Sequence, residues 1–285
     1  MGKRILTAVI LIPIVLFLVL RAPVLWLAVA AGVVALLALY EYLALALGGE
    51  GRGLGIVTLV TAIVFFVAVI IAPALFMLPA LTAAAFLLLT VAAFTRPASE
   101  VLPATASSFF GVVYIAFPLA TLPLIATLEN GRSLILFLLL VVWTGDIAAL
   151  YIGRAIGRHK LAPKLSPGKT WEGSIGSVAG SLIIAALLYF GLQHVDRLPQ
   201  LLHPLEIHPL DGPLWYWLLL AALLNVAAQL GDLLESAIKR GAGVKDSGTM
   251  LPGHGGILDR IDAMLLAAPV LWYILLLKDW QTLFR

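Results

Sequence analysis

Polar residues are rare enough in this chain to act as punctuation between apolar runs. Those runs occupy 5–20, 24–47, 56–72, 74–94, 107–128, 134–156, 173–192, 214–239 and 257–277, and each approaches the roughly 20 residues that a helix needs to cross the hydrocarbon core of a bilayer. The pattern predicts an all-α, polytopic integral membrane protein with about nine transmembrane helices, forming one membrane domain over 1–285. Within it, 1–128 offers helical spans of weak chemical signal, and 134–285 holds the polar loops and the charged positions inside spans. Pro23 and Pro73 sit in tight connections between runs, where proline ends or kinks a helix. Pro13 interrupts the first run and no small-residue cleavage site precedes Arg21, so this run is read as a span and not as a cleaved leader.

Composition narrows the class further. The chain is 62% hydrophobic and 12% charged, with a mean hydropathy of +1.08, whereas a soluble domain is about one quarter charged. The absence of cysteine removes disulfides and thiolate metal sites. With a cytosolic N-terminus, nine spans place thirteen of the eighteen Lys and Arg on the cytosolic side and leave Arg21, Arg132, Arg197, Lys278 and Arg285 outside, as the positive-inside rule requires. Loops 157–172 and 240–256 are then expected on the cytosolic face and 193–213 on the other.

Ionisable side chains inside spans are costly and mark functional sites by default. In NVAAQLGDLLESAIKR, Asn225, Gln229, Asp232, Ser236 and Lys239 recur at intervals of 4, 3, 4 and 3 and so share one helix face. That seam reads either as hydrogen-bonding glue between helices or, at Asp232, as an anion that needs a cation. Asp146 and Arg154 lie two turns apart in VVWTGDIAALYIGR, which suits a structural ion pair or a site. Asp259 and Asp262 lie three apart at the start of the last run, where they either cap the helix or share a divalent metal. Two crowded carboxylates favour the metal, and oxygen ligands without Cys or paired His point to Mg²⁺ rather than Zn²⁺.

The parts of a phosphate site lie nearby in sequence. GRHKLAPKLSPGKTWEG brings Arg158, Lys160, Lys164 and Lys169, and IKRGAGVKDSG adds Lys239, Arg240 and Lys245. Gly253, Gly255 and Gly256 would let backbone N–H groups approach an anion, with His254 as a further donor. Basic loops are also ordinary topogenic signals, but those need no glycines and carboxylates beside them. PGKT at 167–170 is not a Walker A loop, because Pro163 stands where a glycine is required and no strand is expected to lead in.

SAIKRGAGVKDSGTMLPGHGGILDRID, the 27 residues from Ser236 to Asp262, resembles the signature of phosphatidate cytidylyltransferases (CDP-diacylglycerol synthases), in which Ser-x-x-Lys-Arg, Lys-Asp, His-Gly-Gly and Asp-Arg-x-Asp occur at these spacings. SPGKTWEG at 166–173 is similar to the family's second motif, departing from it at Gly168, and GDIAALYIGR fits its preceding segment. The resemblance implies transfer of CMP from CTP to phosphatidic acid, giving CDP-diacylglycerol and pyrophosphate, with Mg²⁺ and in a homodimer; a monovalent cation beside Mg²⁺ stays open. It implies metal ligands at Asp232, Asp259 and Asp262, and phosphate clamps at Lys169, Lys239, Arg240, Lys245 and Arg260. His254, Gly255 and Gly256 would cradle the triphosphate, Asp146 and Asp246 would lie near the site, and Ser166, Thr170 and Ser236 would contact substrate. The expected setting is a bacterial inner membrane with the site facing the cytosol, and no nucleic acid is expected as a partner. The rival functions are a CTP-dependent polyprenol-type kinase, which would release CDP, and a secondary transporter, whose carboxylates would gather nearer the midplane.

Overall fold

The structure, a computed structural model, describes residues 2–48, 52–193, 207–250 and 255–283. The order is α1 (Gly2–Leu20), α2 (Val24–Leu47), α3 (Arg52–Ile71), α4 (Pro73–Thr95), α5 (Ala98–Gly111), a π-helical turn (Val112–Ala116), α6 (Phe117–Ala126), α7 (Gly131–Ile156), β1 (Lys160–Ala162), β2 (Ser166–Thr170), α8 (Trp171–Leu192), α9 (Leu214–Gly241), α10 (Leu258–Ile261) and α11 (Met264–Leu283). Among the described residues seven helical segments are long and apolar enough to cross a membrane, the stretch Ala98–Ala126 through the π turn counting as one. The first and last apolar runs supply shorter apolar helices, Val9–Leu20 and Met264–Leu277. The protein is an all-α polytopic membrane protein.

Two differences from the sequence expectation bear on the site. Residues read as a loop without a strand form a two-stranded antiparallel hairpin, β1 pairing Lys160 with Thr170 and Ala162 with Ser166 across an irregular register. The last run is not one helix: α10 is a single turn, and the chain breaks at Asp262 and Ala263 before α11. Asp259 and Asp262 therefore do not stand on successive turns of one helix.

The helices divide into two compact units. The first comprises Leu25–Leu124 and Ile238–Ile261 with the N-terminal residues to Ala8; the second comprises Val9–Val24, Ile125–Ala237 and Asp262–Arg285. In the first, Leu54, Leu88, Ala92 and Ala104 form a buried cluster with Leu47, Val57, Val91, Val101 and Phe109 packed against it. Lipid tails are as apolar as leucine, so helices in a membrane are held by close fit and polar contacts rather than by hydrophobic exclusion. Gly111 provides that fit, because a Cβ there would lie 2.7 Å from the Tyr42 ring, and the Tyr42 hydroxyl donates to the Ser107 carbonyl at 3.0 Å.

The second unit uses the same device more heavily. Gly176 of α8 faces Ile152 of α7, Gly180 faces Ala148, and Gly145 faces Asn225 of α9 and Ser181 of α8, each too closely for a Cβ. Asn225 Nδ2 donates to Ser177 Oγ at 2.9 Å and to Ser181 Oγ at 2.8 Å, and Ser181 Oγ donates to the Val141 carbonyl at 2.8 Å. Gln229 Nε2 donates to Asn225 Oδ1 at 2.6 Å, and Ser174 Oγ donates to Gln229 Oε1 at 2.5 Å. The first two positions of the polar seam are thus interhelical glue joining α8 and α9. Arg132 reaches back to the end of α1, its guanidinium donating to the carbonyls of Val19 at 2.8 Å and Ala22 at 2.9 Å.

Candidate active site

In the second unit a cavity of about 550 Å³ is lined by Asp146, Gly153, Arg154, Ser166, Gly168, Lys169, Thr170, Ser174, Ser177, Gln229 and Asp232. The hairpin delivers its working residues. β2 ends at Thr170, whose extended backbone makes it the N-cap of α8, and its hydroxyl accepts from the Gly173 N–H at 3.1 Å; Thr is among the preferred N-caps for this reason. On the same strand end, Glu172 of α8 accepts from the His159 backbone N–H at 3.2 Å and meets His159 Nδ1 at 2.6 Å. Strand and helix are thereby locked together at Lys169, whose Nζ lies 2.6 Å from Asp232 Oδ2.

That ion pair answers what balances Asp232. Asp146 and Arg154 both line the cavity, but the ion pair formed there among the described residues is Lys169–Asp232 and not Asp146–Arg154. Ser236 lies one turn along α9 from Asp232 and is buried.

Asp232, Glu235 and Asp262 each offer a carboxylate oxygen such that all three lie within 4.8 Å of one another. Gly231 permits this approach: a Cβ there would lie 2.5 Å from the Asp262 carbonyl oxygen, so the absence of a side chain lets the α10–α11 break lie against α9. Asp262 Oδ1 accepts from the Ala263 N–H at 2.8 Å, which fixes its orientation. Three crowded carboxylates in the low dielectric of a span repel strongly, and a set of hard oxygen donors suits a divalent cation such as Mg²⁺. The donor set is of a kind that suits a metal; it brings together Asp232 and Asp262 of the expected ligands and adds Glu235.

Asp259 has another environment, in the first unit. Its Oδ1 lies 2.6 Å from Lys239 Nζ, and its Oδ2 accepts from the backbone N–H groups of Ser247 at 3.0 Å and Gly256 at 2.8 Å. Of the glycines expected to offer a backbone N–H to an anion, Gly256 directs its own at this internal carboxylate, and Gly253 lies outside the described residues. Gly255 adopts φ +81, and a Cβ there would lie 2.6 Å from Asp259 Oδ2, so both conformation and space require glycine. α9 ends in a Schellman arrangement, with Gly243 at φ +72, Val244 N–H donating to the Lys239 carbonyl and Gly243 N–H to that of Arg240. The Arg240 guanidinium donates to the Val244 carbonyl at 2.9 Å. Lys245, Asp246 and Arg260 are exposed, and His254 lies outside the described residues.

Two residues were missed by the sequence reading. Glu235 stands three positions after Asp232, next to the Ser236 through which the seam runs. Glu41 is the one Asp, Glu, Lys or Arg in the run 24–47, an isolated charge in a span that by itself marked a site. It is 3% exposed, and its Oε2 accepts from Ser247 Oγ at 3.0 Å and from the Leu258 N–H at 3.0 Å.

Comparison with known proteins agrees with the motifs. The chain is 42% identical over 167 residues to the phosphatidate cytidylyltransferase of Brucella suis biovar 1, covering 57% of this chain and 54% of that protein. It is 43% identical over 151 residues to the one of Staphylococcus haemolyticus, covering 53% and 52%. It is 41% identical over 149 residues to the one of Bacillus subtilis, covering 52% and 49%. The chain spans about half the length of these curated relatives. A model of the cytidylyltransferase family matches residues 2–277, nearly the whole chain, and the chain belongs to that family.

Proposed function

We propose that the protein is a phosphatidate cytidylyltransferase, joining CTP and phosphatidic acid into CDP-diacylglycerol and pyrophosphate. The observation that carries the reading is the cavity of the second unit, in which Lys169 is held by a capped strand–helix junction beside Asp232 and the carboxylate trio. The similarity to the named relatives supplies the substrates.

Phosphatidic acid carries a phosphomonoester whose second ionisation lies near pH ~6, so at neutral pH it is already a nucleophile and no side chain has to remove a proton. One of its oxygens attacks the α-phosphorus of CTP in line; a P–O bond forms there as the bond to the β-phosphate breaks, and pyrophosphate leaves. Lys169 stabilises the charge that builds on the transferring phosphate, and its anchorage at Thr170 removes the reorganisation that a loop lysine would require. Asp232 orients the Lys169 ammonium. Asp232, Glu235 and Asp262 would hold Mg²⁺, which when bound neutralises phosphate charge. Asn225 and Gln229 keep α8 and α9 in register beneath the site.

The bacterial relatives and the cytosolic origin of CTP support an inner-membrane protein with its cavity open to the cytosol, and family resemblance supports a homodimer. The deciding experiment is turnover of phosphatidic acid by the purified protein with CTP, dCTP, UTP and ATP. CDP-lipid with pyrophosphate is expected, and phospholipid with CDP would establish the kinase reading instead.

A further inference from the structure

We infer that Glu41, on a span far from the signature in sequence, is a positioning residue for the reaction: its buried carboxylate clamps Ser247, within the loop between α9 and α10, to the first residue of α10. This rests on the cytidylyltransferase reading above and assigns a role within it to the N-terminal half of the chain.

The geometry is specific. Glu41 Oε2 takes one hydrogen bond from the Ser247 hydroxyl, six residues past the end of α9, and one from the N–H of Leu258, the first residue of α10. The acceptor is shared by points eleven residues apart in sequence, so it ties the loop shut. Oε1 has no hydrogen-bond partner among the described residues, and the side chain is 3% exposed. A carboxylate buried with half of its acceptor capacity unmet is expensive in a span, and glue of this kind is available from neutral side chains elsewhere in the same protein. The loop is also shaped around this group, since a Cβ at Gly248 would lie 2.5 Å from Oε1 and one at Gly256 would collide with Oε2. Asp259, held by the Ser247 and Gly256 N–H groups and by Lys239, secures the same loop from inside. Glu41 is the outer clamp, and the segment it fastens, 247–258, directly follows the Lys-Asp element of the signature in sequence and carries the His-Gly-Gly element.

The test uses the full chain in lipid nanodiscs, with Met250→Cys giving a single spin-label site in an otherwise cysteine-free protein. Glu41→Ala should sharpen the label's spectrum, reporting a mobile loop, and lower kcat at least tenfold while the thermal midpoint of the assembled protein stays near that of the parent. Glu41→Gln, which keeps one acceptor oxygen at the same reach, should recover part of both signals; Glu41→Asp, which is shorter, should recover less. If Glu41→Ala does not assemble, Ser247→Ala removes one arm of the clamp from the other side, and combining it with Glu41→Gln should cost less than the sum of the two. Unchanged label mobility, or unchanged kcat in a protein whose only defect is thermal, would overturn the inference. Absence of CTP turnover in the parent protein would instead overturn the function, a result the label spectrum does not depend on.

Discussion

Carboxylates are housed in opposite ways in the two units. In the first, Asp259 is met by an ammonium and two backbone N–H groups, and one oxygen of Glu41 by a hydroxyl and a backbone N–H. In the second, Asp232, Glu235 and Asp262 are brought up against one another, with Lys169 beside Asp232. A carboxylate met by several donors of its own loop holds that loop in shape, whereas three carboxylates brought within reach of one another concentrate negative charge at one point. Sequence spacing alone does not separate these uses, since Asp259 and Asp262 look equivalent in DRID and fall on different sides of the distinction.

The largest effects should come from the crowded trio. Asp232→Asn, Glu235→Gln and Asp262→Asn should each lower turnover by more than about 100-fold, at least the loss seen when groups one step further from a metal are changed. Mn²⁺ binding, followed by electron paramagnetic resonance as a stand-in for Mg²⁺, should weaken in all three. Retained binding in any one would remove that residue from the ligand set. Next is Lys169→Met, which deletes a preorganised positive charge and should cost about 100-fold in kcat, the scale of losing one transition-state donor; a rise in KM with kcat intact would make Lys169 a docking group only.

Asp259→Asn draws the contrast most directly. It should leave Mn²⁺ binding in place while lowering the thermal midpoint, because charge-assisted hydrogen bonds contribute about 1.5–3 kcal/mol and the Lys239–Asp259 ion pair is removed. Loss of Mn²⁺ binding in this variant would erase the distinction between the two groups. The smallest effect is expected for Asn225→Ala, which removes interhelical hydrogen bonds within the second unit at a cost of about 0.6–1.7 kcal/mol, visible in thermal unfolding with turnover close to the parent's.

The span pattern was legible because it rests on composition and length alone: the run 24–47 is helical over Val24–Leu47, and 214–239 over Leu214–Gly241. The polar seam was legible through its helical period, and the structure uses Asn225 and Gln229 as the hydrogen-bonding glue that periodicity allowed. The break at Asp262 was not, because nothing in ILDRIDAMLL interrupts a helix by propensity, and the close approach of the Asp262 carbonyl to Gly231 involves another helix. Glu235 is not separable from Ser236 by spacing, because the positions three and four after Asp232 share its face. Glu41 was legible as the one charge in its span but its role was not, because its partners Ser247 and Leu258 lie more than two hundred residues away.

The hairpin bears on which insertions this chain can absorb. Along a strand, side chains alternate between faces, so a single residue added to one strand reverses the facing of everything on the far side of the insertion from the nearest fixed point. The fixed point here is Thr170, committed to capping α8. One residue inserted just before Lys169 leaves that lysine's facing unaltered and turns over the start of β2, whereas one inserted between Lys169 and Thr170 moves the lysine to the opposite face from Asp232. Pro163 and Lys164, exposed at the tip between the strands, belong to neither ladder and have no facing to lose. An epitope tag or a fluorophore site placed there should be carried by a working protein, while length changes one strand-step from the helix should not be tolerated at all.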